Sequence, residues 1–78
     1  MAVMHFHYTQ HIKTRIRQRE VRHEQIESTV TRPDRTQPGF GGRQLAQKRF
    51  YGKLLEVVYK KEEDRIILIT AYWLRERL

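Results

Sequence analysis

Cysteine is absent from this 78-residue chain, which removes disulfides, thiolate nucleophiles and cysteine-ligated zinc in one step. The absence fits a reducing cytoplasm. Acidic residues are scarce as well: nine Asp and Glu stand against sixteen Lys and Arg, for a formal net charge of +7. Long apolar runs are missing too. The longest, Ile66 to Leu74, is about half of what a bilayer-spanning helix needs, and Met1 to His7 carries no signal-peptide core. These gaps lead to the expectation of a soluble, unprocessed, cytoplasmic protein with no membrane partner.

The length allows one domain, residues 1–78, near the size where a single core is only marginally stable. Its charge is unevenly placed. Residues 1–53 hold eleven Lys and Arg against four Asp and Glu, whereas residues 54–78 hold five against five. A basic field confined to the first two thirds draws polyanions by steering and counterion release, without specifying sequence or chemistry.

Within that part, Tyr8 to Arg19 repeats an ionisable residue every fourth position. At helical pitch His11, Arg15 and Arg19 form one stripe, with Ile12 and Ile16 on the flank beside it. Such a stripe sets cations at the edge of an apolar face, where a nucleic-acid phosphate is the natural ligand. Lys13 and Arg17 point elsewhere and are read as solubility charges.

The surrounding pattern predicts a short strand over Val3–Tyr8 and a helix capped by Thr9 that runs to about Glu20. A second helix follows Val21, with Glu24 and Glu27 near its N-terminal end, and Pro33 stops it by Arg32. Both prolines and three of the four glycines then crowd into Pro33–Arg43, which reads as a loop and as neither strand nor helix interior. Beyond it the period changes to two. Strands are expected over Leu45–Tyr51, Leu54–Lys60 and Ile66–Trp73, separated by a tight Gly52-Lys53 turn and a charged Lys61–Arg65 turn. The order is βααβββ, an α+β fold with a helical hairpin packed on a three- to four-stranded antiparallel sheet.

Alternation assigns the faces. Leu55, Val57 and Tyr59 with Ile67, Ile69, Ala71 and Trp73 are uniformly apolar and are expected to meet Ile12, Ile16, Ile26 and Val30. The opposite rows, Leu54, Glu56 and Val58 with Ile66, Leu68, Thr70 and Tyr72, are mixed. A half-apolar sheet face on so small a domain is expected to dock a partner.

The ordered set Tyr8-Thr-x-His11, Arg15, Gln18-Arg19-x-Val21, Ile26, Arg32-Pro33-Asp34, Lys48-x2-Tyr51-x-Lys53-x-Leu55-x-Val57-Val58-Tyr59 and Ile67-x-Ile69-Thr70-x-Tyr72 resembles a small bacterial family without an assigned function, grouped with RelE, ParE and BrnT-like toxins and related RNases. The resemblance implies the same strand, helical hairpin and antiparallel sheet. It also implies metal-independent cleavage of RNA by a toxin held inactive by a small antitoxin protein. In such a site His11 would serve as base or acid, Arg15 and Arg19 would clamp the phosphate, and Lys48, Arg49 and Lys53 would add charge for RNA. Thr70 and Tyr72 share a face on the last strand and would act as acid or hydrogen-bond donors. The face assignment turns these two away from the helices, which counts against a single site containing all of them.

The four histidines, His5, His7, His11 and His23, lack an Asp, Glu or Cys at matching spacing, so neither a metal site nor a cofactor is expected. Phe40-Gly-Gly lacks the spacing and the Lys-Ser/Thr ending of a phosphate loop. Trp73 continues the core row and is read as packing. Two further functions stay open: a non-catalytic module that binds nucleic acid or protein, and a ParE-like inhibitor of a protein target. A dimer is also open.

Overall fold

The computed structural model describes residues 5–75 of the chain. Val3 and Met4, the first residues of the expected opening strand, lie outside this range. The elements are β1 (His5–Tyr8), α1 (Gln10–Arg19), α2 (His23–Thr31), β2 (Arg35–Pro38), a 3-10 turn at Phe40–Gly42, β3 (Gln44–Phe50), β4 (Lys53–Glu62) and β5 (Arg65–Leu74). All five strands form one sheet in the order β1-β5-β4-β3-β2. The α+β class stands, with two helices on a sheet that is larger than expected and mixed in direction.

Two corrections account for the difference. The sheet is not purely antiparallel, because β1 pairs with β5 in parallel, His5 opposite Arg65 through Tyr8 opposite Leu68. The proline- and glycine-rich segment is not all loop either. Arg35–Pro38 adds a fifth strand antiparallel to β3. An edge strand needs ladder bonds on one side only, so its terminal Pro38 withholds no amide that the sheet requires. Gly41 and Gly42, at φ 68° and 79°, then turn the chain back into β3.

Local chemistry sets the helix ends. The Thr9 hydroxyl accepts from the Ile12 amide at 3.2 Å and caps α1. Glu20 ends that helix in the left-handed region at φ 53°, which frees Val21 to turn into the core at 4% exposure. Helix α2 begins with the Arg22 amide bonded to the Gln25 side chain at 3.0 Å and ends at Thr31, just ahead of Pro33.

The core lies between the helices and one face of the sheet. Ile12 and Ile26 meet Leu55, Val57 and Ala71, as the alternation predicts, with Ile16, Val30, Tyr59 and Trp73 packed around them. On β5, however, Ile66 and Leu68 are the core residues, at 1% and 0% exposure, where Ile67 and Ile69 were expected. The reason is a bulge. Val58 stands opposite Thr70 but Tyr59 opposite Leu68, so Ile69 is an extra residue that reverses the alternation. Thr9 sits on this bulge, its hydroxyl within donating distance of the Leu68 and Ile69 carbonyls at 2.9 and 3.2 Å. There β1 ends, and α1 takes over the flank of β5.

Candidate nucleic-acid interface

Helix α1 covers the edge of β5 that β1 leaves open. An Arg19 guanidinium nitrogen donates to the Ala71 carbonyl at 3.2 Å, and the Trp73 indole N–H donates to the Arg19 carbonyl at 3.1 Å. A helix side chain thereby satisfies the Ala71 carbonyl of the strand, and a helix carbonyl satisfies the indole. From this position the guanidinium reaches round to the face away from the helices, where its carbon lies 5.9 Å from the centre of the Tyr72 ring. That is cation–π range. Arg19 and Tyr72, which the face assignment separated, therefore meet at the sheet edge.

Tyr72 opens a polar row across that outer face, where Tyr72, Glu56, Gln47 and Arg35 stand opposite one another on β5, β4, β3 and β2. Glu56 is 6% exposed and accepts from the Tyr72 phenol and, at 2.7 Å, from the Gln47 amide. Two donors offset part of the cost of burying a carboxylate. Glu56 and Gln47 were not singled out from sequence as site residues. The available signal was a lone carboxylate inside Leu54-Leu55-Glu56-Val57-Val58.

The other expected residues divide. His11 is exposed on α1, and the Arg15 Nε–H donates to its Nε2 at 3.4 Å, while an Arg15 Nη nitrogen donates to the Gln18 side chain at 3.1 Å. In this long contact His11 Nε2 is the acceptor. Thr70 lies on the same outer face as Tyr72, opposite Val58. Lys48 points the other way, its ammonium donating to the Arg32 carbonyl at 2.7 Å, where a cation favours the C-terminal end of α2. Arg49 lines an outer hollow with Asp34, Arg35, Gln47 and Leu54, and its amide donates to Asp34 at 2.9 Å. Lys53 stands 5.9 Å over the Trp73 ring. The eight positions thus resolve into an α1 stripe that reaches Tyr72, Thr70 on the same outer face, and Lys48, Arg49 and Lys53 held at three other places.

A separate polar cluster sits under α2. The Tyr8 phenol donates to Glu27, and its ring stacks on His23 with centroids 4.5 Å apart. Burial, aided by the hydrogen bond and the charge of Glu27, pushes the Tyr8 phenol well above its ordinary range. Among the described residues, no group of three or more His, Cys, Asp or Glu side chains is placed to hold a metal ion, and no helix is long and apolar enough to cross a membrane.

A two-helix, five-stranded α+β domain with a basic helix stripe along its sheet edge is the class that these features define. The chain belongs to the family described as domain of unknown function DUF4258, whose profile matches residues 8–73. No curated protein and no solved structure matches it significantly.

Proposed function

We propose that the domain is the toxin component of a toxin–antitoxin pair, a metal-independent endoribonuclease with a RelE-like arrangement of its helical hairpin and β3–β5 meander. The observation that carries this reading is the contact of Arg19 with Tyr72, whose phenol is held by Glu56. A cation, a phenol and a carboxylate in contact, continued along α1 by Arg15 and His11, supply the parts that RNA transesterification requires.

In this reading Arg15 and Arg19 hold the scissile phosphate and its developing charge. Once the Arg15 guanidinium turns from His11 to the phosphate, His11 Nε2 takes the proton of the ribose 2′-hydroxyl as that oxygen bonds to phosphorus. The bond to the 5′ oxygen breaks, and that oxygen takes the phenol proton of Tyr72, whose O–H turns from Glu56 to deliver it, with Thr70 beside it as a further donor. A 2′,3′-cyclic phosphate and a 5′-hydroxyl result. Glu56 is a positioning residue, fixing the phenol. The antitoxin, a small acidic protein, docks on the outer sheet face, where half-buried Leu54 and Ile67 lie on either side of the polar row.

His11→Ala, Arg15→Ala and Tyr72→Phe are the test, each checked for folding by circular dichroism and assayed for RNA cleavage and for growth arrest on induction. Each variant is expected to lose at least tenfold in cleavage. Wild-type protein that is inert on RNA and harmless to cells overturns the reading.

One feature favours a second reading. His11 and Arg19 are eight residues apart, about 12 Å along a helix, so the stripe spans more than a single phosphate. A module that binds nucleic acid without cutting it uses that length fully, and it predicts salt-dependent affinity without products.

A further inference from the structure

The tightest turn of the sheet carries a side chain that its backbone does not favour. Phe50 and Lys53 pair across the β3–β4 hairpin and leave Tyr51 and Gly52 as a two-residue loop, with φ of 50° and 83°. Asparagine followed by glycine fills such a loop best, and the Cβ of a tyrosine strains it. The ring contributes no packing in return, because Tyr51 is fully exposed at 102%.

Beside the turn lies an open groove lined by Gly52, Lys53, Trp73, Leu74 and Arg75. Half-buried Trp73 and Leu74 give it an apolar floor, and Lys53 and Arg75 give it a cationic rim. Since the Trp73 indole is held by the Arg19 carbonyl, the groove begins where the basic stripe of α1 ends. Tyr51 itself lines a second hollow toward α2, with Arg22, Glu24, Gln25 and Phe50, and Glu24 makes that one the poorer side for the phosphates.

An exposed ring, an apolar trough and cations along its rim match a nucleic acid whose bases are unpaired. A duplex keeps its bases in the stack and has no use for Tyr51. We propose that the Tyr51 turn is a stacking platform for one unpaired base, with the phosphates of the same strand lying along Lys53 and Arg75, so that the domain selects single-stranded over duplex RNA. This rests on the nucleic-acid reading above and names its substrate class.

Trp73, the one tryptophan of the chain, lines the groove and reports occupancy. Its fluorescence is followed during titration with single-stranded oligoadenylate, with an RNA duplex of equal length and with phosphatidylserine vesicles. Wild-type protein is expected to respond to the single strand and to bind it more tightly than the duplex. Tyr51→Asn, which suits the turn, should melt at or above the wild-type temperature yet bind the single strand about 5- to 150-fold more weakly, the range of one lost base stack. Tyr51→Phe should retain binding, and Arg15→Ala should weaken both RNAs. Undiminished binding by Tyr51→Asn, with Arg15→Ala impaired, overturns the platform and leaves the nucleic-acid reading standing. Failure of the wild type to bind either RNA, or a preference for vesicles, overturns both.

Discussion

Replacing Glu56 tests whether the polar row on the outer sheet face is held together by one carboxylate. Glu56 is 6% exposed and accepts from Tyr72 and Gln47. A hydrogen bond to a charged group contributes about 1.5–3 kcal/mol. The two donors are only half-buried, so water takes over part of what the carboxylate supplied. The net cost of Glu56→Ala is therefore about 2–3 kcal/mol, and that of Glu56→Gln, which keeps one acceptor, about 1–2 kcal/mol. A domain of this length has roughly 4–12 kcal/mol in all, and each kcal/mol lowers its melting temperature by about 4–8 °C. Glu56→Ala should accordingly melt about 8–24 °C lower, followed by circular dichroism. In a cycle with Tyr72→Phe, the two changes should couple by about 1 kcal/mol. Unchanged melting of both Glu56 variants, or strict additivity in the cycle, refutes the argument that this carboxylate organises the row.

Three other outcomes are expected. Ile12→Ala removes a fully buried side chain at the centre of the core and should cost about 2–5 kcal/mol in urea unfolding, without displacing the neighbouring stripe residues from the surface. Lys48→Met removes the ammonium from the Arg32 carbonyl and should cost about 0.3–1 kcal/mol while leaving RNA affinity within twofold, since this lysine serves α2. The Tyr8 phenol is pushed above its ordinary value, so the native protein keeps a proton that the unfolded chain releases. Its contribution is complete below the ordinary phenol pKa of about 10 and is lost as pH rises beyond it. Denaturant titrations above that pH should show a shallower decline in Tyr8→Phe than in wild type, and parallel declines would sink the assignment.

Sequence patterning conveyed the elements better than their assembly. The Thr9 cap, the Pro33 stop and the period-two strands are local effects, written in neighbouring residues, and each appears in the fold. The parallel pairing of β1 with β5 is a contact between distant segments that no local period encodes. The bulge at Ile69 escaped for a related reason: Ile66 to Ile69 is apolar throughout, so alternation cannot say which pair faces inward, and the register is set by Thr9 and by β4. The site was half legible. The spacing of His11, Arg15 and Arg19 predicted their common stripe, yet the reach of Arg19 round the sheet edge to Tyr72 depends on where α1 lies beside β5. The reach of Lys48 to the Arg32 carbonyl is equally a matter of where β3 lies beside α2, which no local period encodes.

Pairing the first strand with the last has a consequence in time. Thr9 closes onto Leu68 and Ile69, about sixty residues further along, and the ring of Tyr72 and the indole of Trp73 reside on the same late strand. During synthesis, β1 and α1 emerge early, and α2 is within reach, but β5, the strand both lie against, follows much later. Contacts of such long range delay folding, because the entropy of closing the loop is spent before any of them forms. The basic stripe is thus made before its sheet partners, and the interface assembles in the final step. A nascent chain stalled ahead of Arg65 carries the charges of this interface without its geometry.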